Sequence, residues 1–293
     1  MIDFKTAYSE KKNSVDKFLN TELSAANFSQ SDLLEIMRYS VLGGGKRIRP
    51  VLLLSAFEVF SSNSEKAMPY ACSLEMIHTY SLIHDDLPAM DNDDLRRGRL
   101  TSHKKFNEFG AILAGDALLN LAFETMLKYS GNFDADISLA AMKTIARASG
   151  ANGMCGGQMT DMSQKISNFD ELKQMYGMKT GALINASVAA GAILGGADAD
   201  SLSILSEFAD ILGIIFQIKD DILDVTSDAE TLGKPILSDQ KNEKMTFVAQ
   251  YGVEKCVKMT EEYLETALNL LGRINKNTEF LKSLAIYVAN RNR

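Results

Sequence analysis

The chain has 293 residues, 46% of them apolar, with four prolines, no tryptophan and a net charge of −7. That charge excludes nucleic acid as a general partner, and the absence of any Pro-, Gly- or Ser-rich linker makes the chain one domain over 1–293. Cys72, Cys155 and Cys256 are odd in number and scattered, which excludes a disulfide framework and fits a reducing, cytoplasmic setting.

Apolar residues recur at helical spacing throughout. They predict helices over 3–22, 31–42, 47–60, 65–87, 105–129, 134–153, 170–195, 201–224, 244–272 and 276–290, with no strand, hence an all-α bundle. Turn formers predict breaks at Gly43-Gly44-Gly45, Arg97-Gly98, Gly156-Gly157 and between Ser227 and Glu243. The start, Met1-Ile2-Asp3-Phe4-Lys5, lacks the apolar stretch of a signal peptide. The uncharged stretch from Gly181 to Ala197 falls short of the ~20 residues of a membrane span; its glycines and alanines suit a tightly packed interior helix, so no membrane span is expected.

In chain order, the first chemical signal is Gly43-Gly44-Gly45-Lys46-Arg47-Ile48-Arg49-Pro50, a glycine turn opening a helix, where backbone N–H groups with Lys46 and Arg49 can grip a phosphate. A solvated basic turn is the bland alternative. His78 lies seven residues before Asp85 and so on the same helix face, two turns deeper; three histidines at these spacings do not make a zinc site.

Next comes Ser81-Leu82-Ile83-His84-Asp85-Asp86-Leu87-Pro88-Ala89-Met90-Asp91. Asp85 and Asp91 would face apart on a regular helix, but Pro88 cannot continue one, so the chain should bend there and return Asp91 towards Asp85. Arg96 and Arg97 follow, with guanidinium forks that suit diphosphate oxygens. Lys179-Thr180, Lys234 and Lys244 add cations near helix breaks.

The second acidic segment is Phe216-Gln217-Ile218-Lys219-Asp220-Asp221-Ile222-Leu223-Asp224. Here Asp220 and Asp224 share a face and Asp221 lies to the side, suited to supporting or solvent-facing duties. Clustered carboxylates closing two apolar helical runs repel one another unless a hard divalent cation binds, and such a cation brings a phosphate ester with it. A solvated acidic helix end explains one such cluster, not two.

These motifs, with Leu95-Arg96-Arg97-Gly98, Gly156-Gly157-Gln158 and Asp161, Lys179-Thr180-Gly181 and Leu232-Gly233-Lys234, resemble the trans-isoprenyl diphosphate synthases over nearly the whole chain, and most closely the bacterial farnesyl diphosphate synthases. Asn92 departs from the pattern, since many relatives carry another Asp there. The resemblance implies a helical bundle with a central cavity, usually a homodimer, that joins isopentenyl diphosphate to dimethylallyl and geranyl diphosphates.

It implies that Asp85, Asp91 and Asp220 bind several Mg2+ ions and that Arg96, Lys179, Lys234 and Lys244 hold the allylic diphosphate. Lys46, Arg49, His78 and Arg97 would hold isopentenyl diphosphate, with Arg291 and Arg293 closing over it, while Thr180 and Gln217 face the allylic cation. Tyr80, five residues before Asp85 and about 7.5 Å along a helix, with Ser81 beside it, would form the floor that sets chain length. A geranylgeranyl diphosphate synthase differs only in product length. A class I terpene cyclase normally has a different second metal motif, and a non-catalytic regulatory subunit would be free to lose the carboxylates retained here.

Overall fold

The computed structural model describes residues 3–25, 29–163, 165–226 and 245–291. Fourteen helical segments are labelled among these residues: α1 Phe4–Ala25, α2 Ser31–Val41, α3 Ile48–Glu58, α4 Met68–Asp85, α5 Ser102–Lys105, α6 Glu108–Lys128, α7 Ala135–Ser149, α8 Met154–Ser163, α9 Phe169–Tyr176, α10 Ala182–Gly195, α11 Ala199–Thr226, α12 Phe247–Tyr251, α13 Val253–Gly272 and α14 Glu279–Asn290. The all-α expectation holds. The one exception among the described residues is a two-stranded hairpin, β1 Leu95–Arg96 with β2 Arg99–Leu100.

Two buried clusters share α3 and α10. On one side Leu53, Phe57 and Leu194 pack with α4, α6 and α7; on the other Val51, Leu52 and Val188 pack with α11, α13 and α14. α10 is therefore interior, as its composition predicts, and it lies so close to α3 that a Cβ on Gly191 would sit 2.2 Å from the Leu53 carbonyl oxygen. By length and composition alone, three segments would suffice to cross a membrane: Glu108–Asn132, Phe169–Gly195 and Ala199–Thr226. Here they pack against other helices of the bundle, α6 against α4, α10 against α3 and α7, and α11 against α13.

Several predicted boundaries move for local reasons. A Pro in the first turn starts α4 at Met68, after a 3-10 turn over Ser64–Ala67. Asn107 accepts the Gly110 N–H and starts α6 separately from α5. The helix expected over 134–153 stops at Ser149. Gly156-Gly157 is no break but the middle of α8: a Cβ on Gly157 would lie 2.2 Å from the Lys179 nitrogen, so the glycine serves a close approach. The helix expected over 170–195 is divided by a wide π-helical turn over Gly177–Gly181, and the one expected over 244–272 by Gly252 at φ 76°. The break expected between Ser227 and Glu243 lies outside the described residues.

Candidate active site

Pro88 has the predicted effect. The residue before a proline is pushed out of helical geometry, so α4 ends at Asp85 and the chain folds back until the Asp91 N–H donates to the Asp85 carbonyl at 2.9 Å. The next residue, Asn92, sits at φ 53°, a left-handed conformation that Asn tolerates well. Burial raises the Asp85 carboxyl to about 6; Lys179 pulls it down and neighbouring Asp91 pushes it up. Asp86 points elsewhere, buried and paired to the Arg96 guanidinium at 2.6 Å.

Arg96 rides on the hairpin, whose turn residues Arg97 and Gly98 both have positive φ, 54° and 73°. Arg97 is a costly residue for such a turn, and its guanidinium donates to the Gly44 carbonyl, tying the hairpin to the glycine loop. That loop is fixed by Arg47, which is 2% exposed and bonds Asp16 at 2.8 Å, Glu75 at 2.7 Å and the Val41 carbonyl. Arg47 is thus a structural cation joining α1, α3 and α4, and removing one partner of such a pair costs about 3–5 kcal/mol.

On α11, Asp220 is half-exposed and accepts from Arg291 at 2.7 Å. The same guanidinium bonds the Phe216 carbonyl at 2.9 Å and lies 3.9 Å over the Phe216 ring. Asp221 departs from the solvent-facing option: it is 3% exposed and accepts from the Phe247 N–H at 2.8 Å and from Gln217 at 3.0 Å. Asp224 is buried as well. Gln217 in turn accepts from Thr180 at 3.1 Å, so one hydrogen-bonded line runs from Thr180 to the start of α12. Lys179 beside it pairs with Asp161 of α8 at 2.6 Å.

These side chains frame two cavities. The larger, about 790 Å³, is lined by Lys46, Arg49, His78, Arg96, Arg97, Asp220 and Arg291, so residues expected at both diphosphates converge there. The smaller, about 470 Å³, holds Tyr80, Ser81, Asp85, Lys179 and four methionines, Met90 and, from α8, Met154, Met159 and Met162. Arg49, His78, Leu82 and Thr180 line both and form the seam. Burial and the surrounding arginines hold the His78 imidazole well below its ordinary range and therefore neutral, and burial lowers Arg49 to about 10. Cations crowded this way await an anion.

Asp91 and Gln217 line neither cavity; they border the site through Asp85 and Thr180. Lys234, Lys244 and Arg293 lie outside the described residues. Sequence reasoning did not assign roles to Asp86, Asp161 and Glu75, which position Arg96, Lys179 and Arg47. The signal available for Asp161 was its place in the Gly156-Gly157-Gln158 motif.

The polyprenyl synthetase family model matches residues 30–285. A farnesyl diphosphate synthase of Micrococcus luteus is 45% identical over 272 residues, covering 90% of this chain and 91% of its own. A geranylgeranyl diphosphate synthase of Cyanophora paradoxa is 40% identical over 286 residues, covering 97% and 95%. A solved geranyltransferase of Helicobacter pylori, complexed with magnesium and isoprenyl diphosphate, aligns with a TM-score of 0.87 and 30% identity over 99% of this chain and 97% of that one.

Proposed function

We propose that this chain, which belongs to the polyprenyl synthetase family, is a prenyltransferase condensing isopentenyl diphosphate with dimethylallyl and then geranyl diphosphate to give farnesyl diphosphate. The observation that carries this reading is the pair of joined cavities, one lined by cations and one largely apolar, with carboxylates beside the seam.

The residues fit magnesium. Asp85, half-buried and with a carboxyl pKa raised by desolvation, would be relieved by a cation. Asp85, Asp91 and Asp220 would hold several such ions, and magnesium bound there supplies charge neutralisation for the departing diphosphate.

The allylic C1–O bond breaks with its electron pair on the leaving oxygen. Lys179 and Arg96, aimed by Asp161 and Asp86, stabilise that oxygen together with Lys234 and Lys244 of the undescribed segment. The smaller cavity excludes water from the allylic cation, and Thr180, its hydroxyl hydrogen held by Gln217 behind it, presents a dipole without an activated nucleophile. Lys46, Arg49, His78 and Arg97 hold isopentenyl diphosphate while its double bond adds to C1. A proton then leaves carbon for an oxygen of the released diphosphate. Tyr80, 6% exposed, and Ser81 wall the cavity into which the new chain grows.

A homodimer is part of the reading: α6 exposes Phe109, Ile112, Leu113 and Leu127, an apolar face suited to a second copy, and sedimentation of the purified protein at the dimer mass would support it. The buried free thiols Cys72 and Cys256 suit a reducing cytoplasm. The deciding experiment incubates the purified protein alone with magnesium, isopentenyl diphosphate and dimethylallyl diphosphate. Fifteen-carbon product is expected; twenty-carbon product would reassign it to the geranylgeranyl enzymes, and no product would favour a regulatory subunit.

A further inference from the structure

The floor of the smaller cavity is tied to the opposite wall. The Tyr80 hydroxyl on α4 meets the Cys155 sulfur on α8 at 3.3 Å, and the same sulfur donates to the Ser149 carbonyl, the last residue of α7, at 3.1 Å. A thiol has one hydrogen. With that hydrogen on Ser149, the sulfur must accept from Tyr80, so a directed chain runs from Tyr80 through Cys155 to the end of α7.

The other edge of the ring is fixed too. Tyr80 stands edge-on to His84 with centroids 5.7 Å apart, and His84 Nε2 bonds the Ile112 carbonyl at 3.0 Å. Gly115 leaves the room: a Cβ there would lie 2.1 Å from His84 Nε2. Against these fixed points, the α8 wall is soft. Met154, Met159 and Met162 line it, and thioether side chains re-pack readily. Among its larger contacts α8 packs on the π-helical turn, α9 and α7, and the hydroxyl-to-sulfur bond ties it across the cavity to α4.

We propose that Cys155 is a chain-length-determining residue, which sets product length by bridging Tyr80 to α7 and so keeping a soft-walled cavity from yielding to a longer chain. Bulk at Tyr80 is then only half of the device. A chain that has reached fifteen carbons presses on the ring, and the ring turns aside only if its hydroxyl leaves the sulfur or α8 moves with it. The inference rests on the prenyl-elongation reading.

The test compares products made by purified Tyr80→Phe, Cys155→Ala, Cys155→Ser and the double variant Tyr80→Phe/Cys155→Ala. Fifteen-carbon product from the unaltered protein is the control for the activity itself, and its absence would count against the elongation reading alone. Tyr80→Phe keeps the ring and deletes only the bond; it and Cys155→Ala should each raise the twenty-carbon fraction roughly fivefold, the weight of one hydrogen bond. The double variant should do no more than either, because both remove the same bond, and Cys155→Ser should restore the original length. A product distribution unchanged in Tyr80→Phe and Cys155→Ala, or effects that add in the double variant, overturns the bridge.

A second measurement needs no variant. Cys155 is the exposed thiol, whereas Cys72 and Cys256 are buried, so N-ethylmaleimide should label Cys155 selectively. Farnesyl thiolodiphosphate with magnesium, a non-reacting occupant of the cavity, should slow that labelling roughly tenfold. An unchanged labelling rate under saturating analogue would show that the chain end does not reach Cys155, and would overturn the proposal.

Discussion

At the end of α4 the helix stops at Asp85 and the chain turns back through Pro88, whereas α11 runs unbroken from Ala199 to Thr226 through Asp220, Asp221 and Asp224. The first segment holds its shape locally, since the Asp91 N–H caps the Asp85 carbonyl and the Asn92 N–H reaches Leu87 at 3.1 Å. The second is held by later chain: Phe247 bonds Asp221 and Arg291 bonds Asp220. Two similar acidic sequences thus reach one site by opposite means. The α4 carboxylate of Asp85 is half-buried and desolvated at a cost to the fold; the α11 carboxylates are wired into it.

The largest effects break both sides alike in activity and oppositely in stability. Asp85→Asn and Asp220→Asn should each lower turnover by roughly a thousandfold, with helical circular dichroism unchanged, because on the proposed reading each removes a magnesium ligand at the leaving diphosphate. In metal-free buffer the melting temperatures should move apart. A carboxyl raised from its ordinary value to about 6 binds its proton more tightly in the folded state, so it penalises folding above that pH. Asp85→Asn should therefore raise the melting temperature at pH 8, and the gain should fade as pH falls through 6 towards 4. Asp220→Asn should lower it, because the Arg291 side chain, 3% exposed, loses its carboxylate. Equal shifts at the two positions would erase the contrast.

Asp221→Ala sharpens the same comparison at intermediate size. Its place on the helix predicts a milder effect on turnover than Asp85 or Asp220, and its hydrogen bonds predict a structural one. Loss of the bonds to Phe247 and Gln217 should cost about 2–3 kcal/mol in denaturant unfolding and roughly tenfold in kcat through the Gln217–Thr180 line. Full stability would mean that α12 does not depend on α11. Comparable in size is Gly157→Ala: the added carbon meets Lys179 backbone and should shift the π-helical turn, lowering kcat roughly tenfold while circular dichroism is kept.

Much of this site was legible in sequence because proline and carboxylate spacing act locally. Pro88 and the six-residue step from Asp85 to Asp91 specify a broken helix end, and the Gly181–Ala197 stretch specifies an interior helix. What was not legible depends on partners distant in sequence. Arg47 sits between two candidate phosphate ligands, yet it is spent on Asp16 and Glu75. Gly156-Gly157 reads as a turn until α8 is seen against Lys179, and nothing near Tyr80 announces Cys155, seventy-five residues later. Local rules see backbone breaks; they do not see which long-range neighbour a side chain will meet.

The smallest predicted effect separates two roles of one arginine. Arg291 was expected to close over isopentenyl diphosphate, and it does line the cationic cavity, but its guanidinium rests on Asp220. A cation that binds Asp220 must first displace it, while a diphosphate in the cavity offers it a new anion. Arg291→Gln should therefore raise KM for isopentenyl diphosphate about threefold to tenfold, more than KM for the allylic substrate, with the difference shrinking as salt rises. In the same variant the magnesium concentration for half-maximal activity should fall, because Asp220 no longer has a competing guanidinium. Opposite movements of these two constants would show that the C-terminal arginine passes from the second acidic segment to the substrate. Parallel increases would mean that it merely braces the fold, and Asp220 would then be held by later chain with no exchange between carboxylate and substrate.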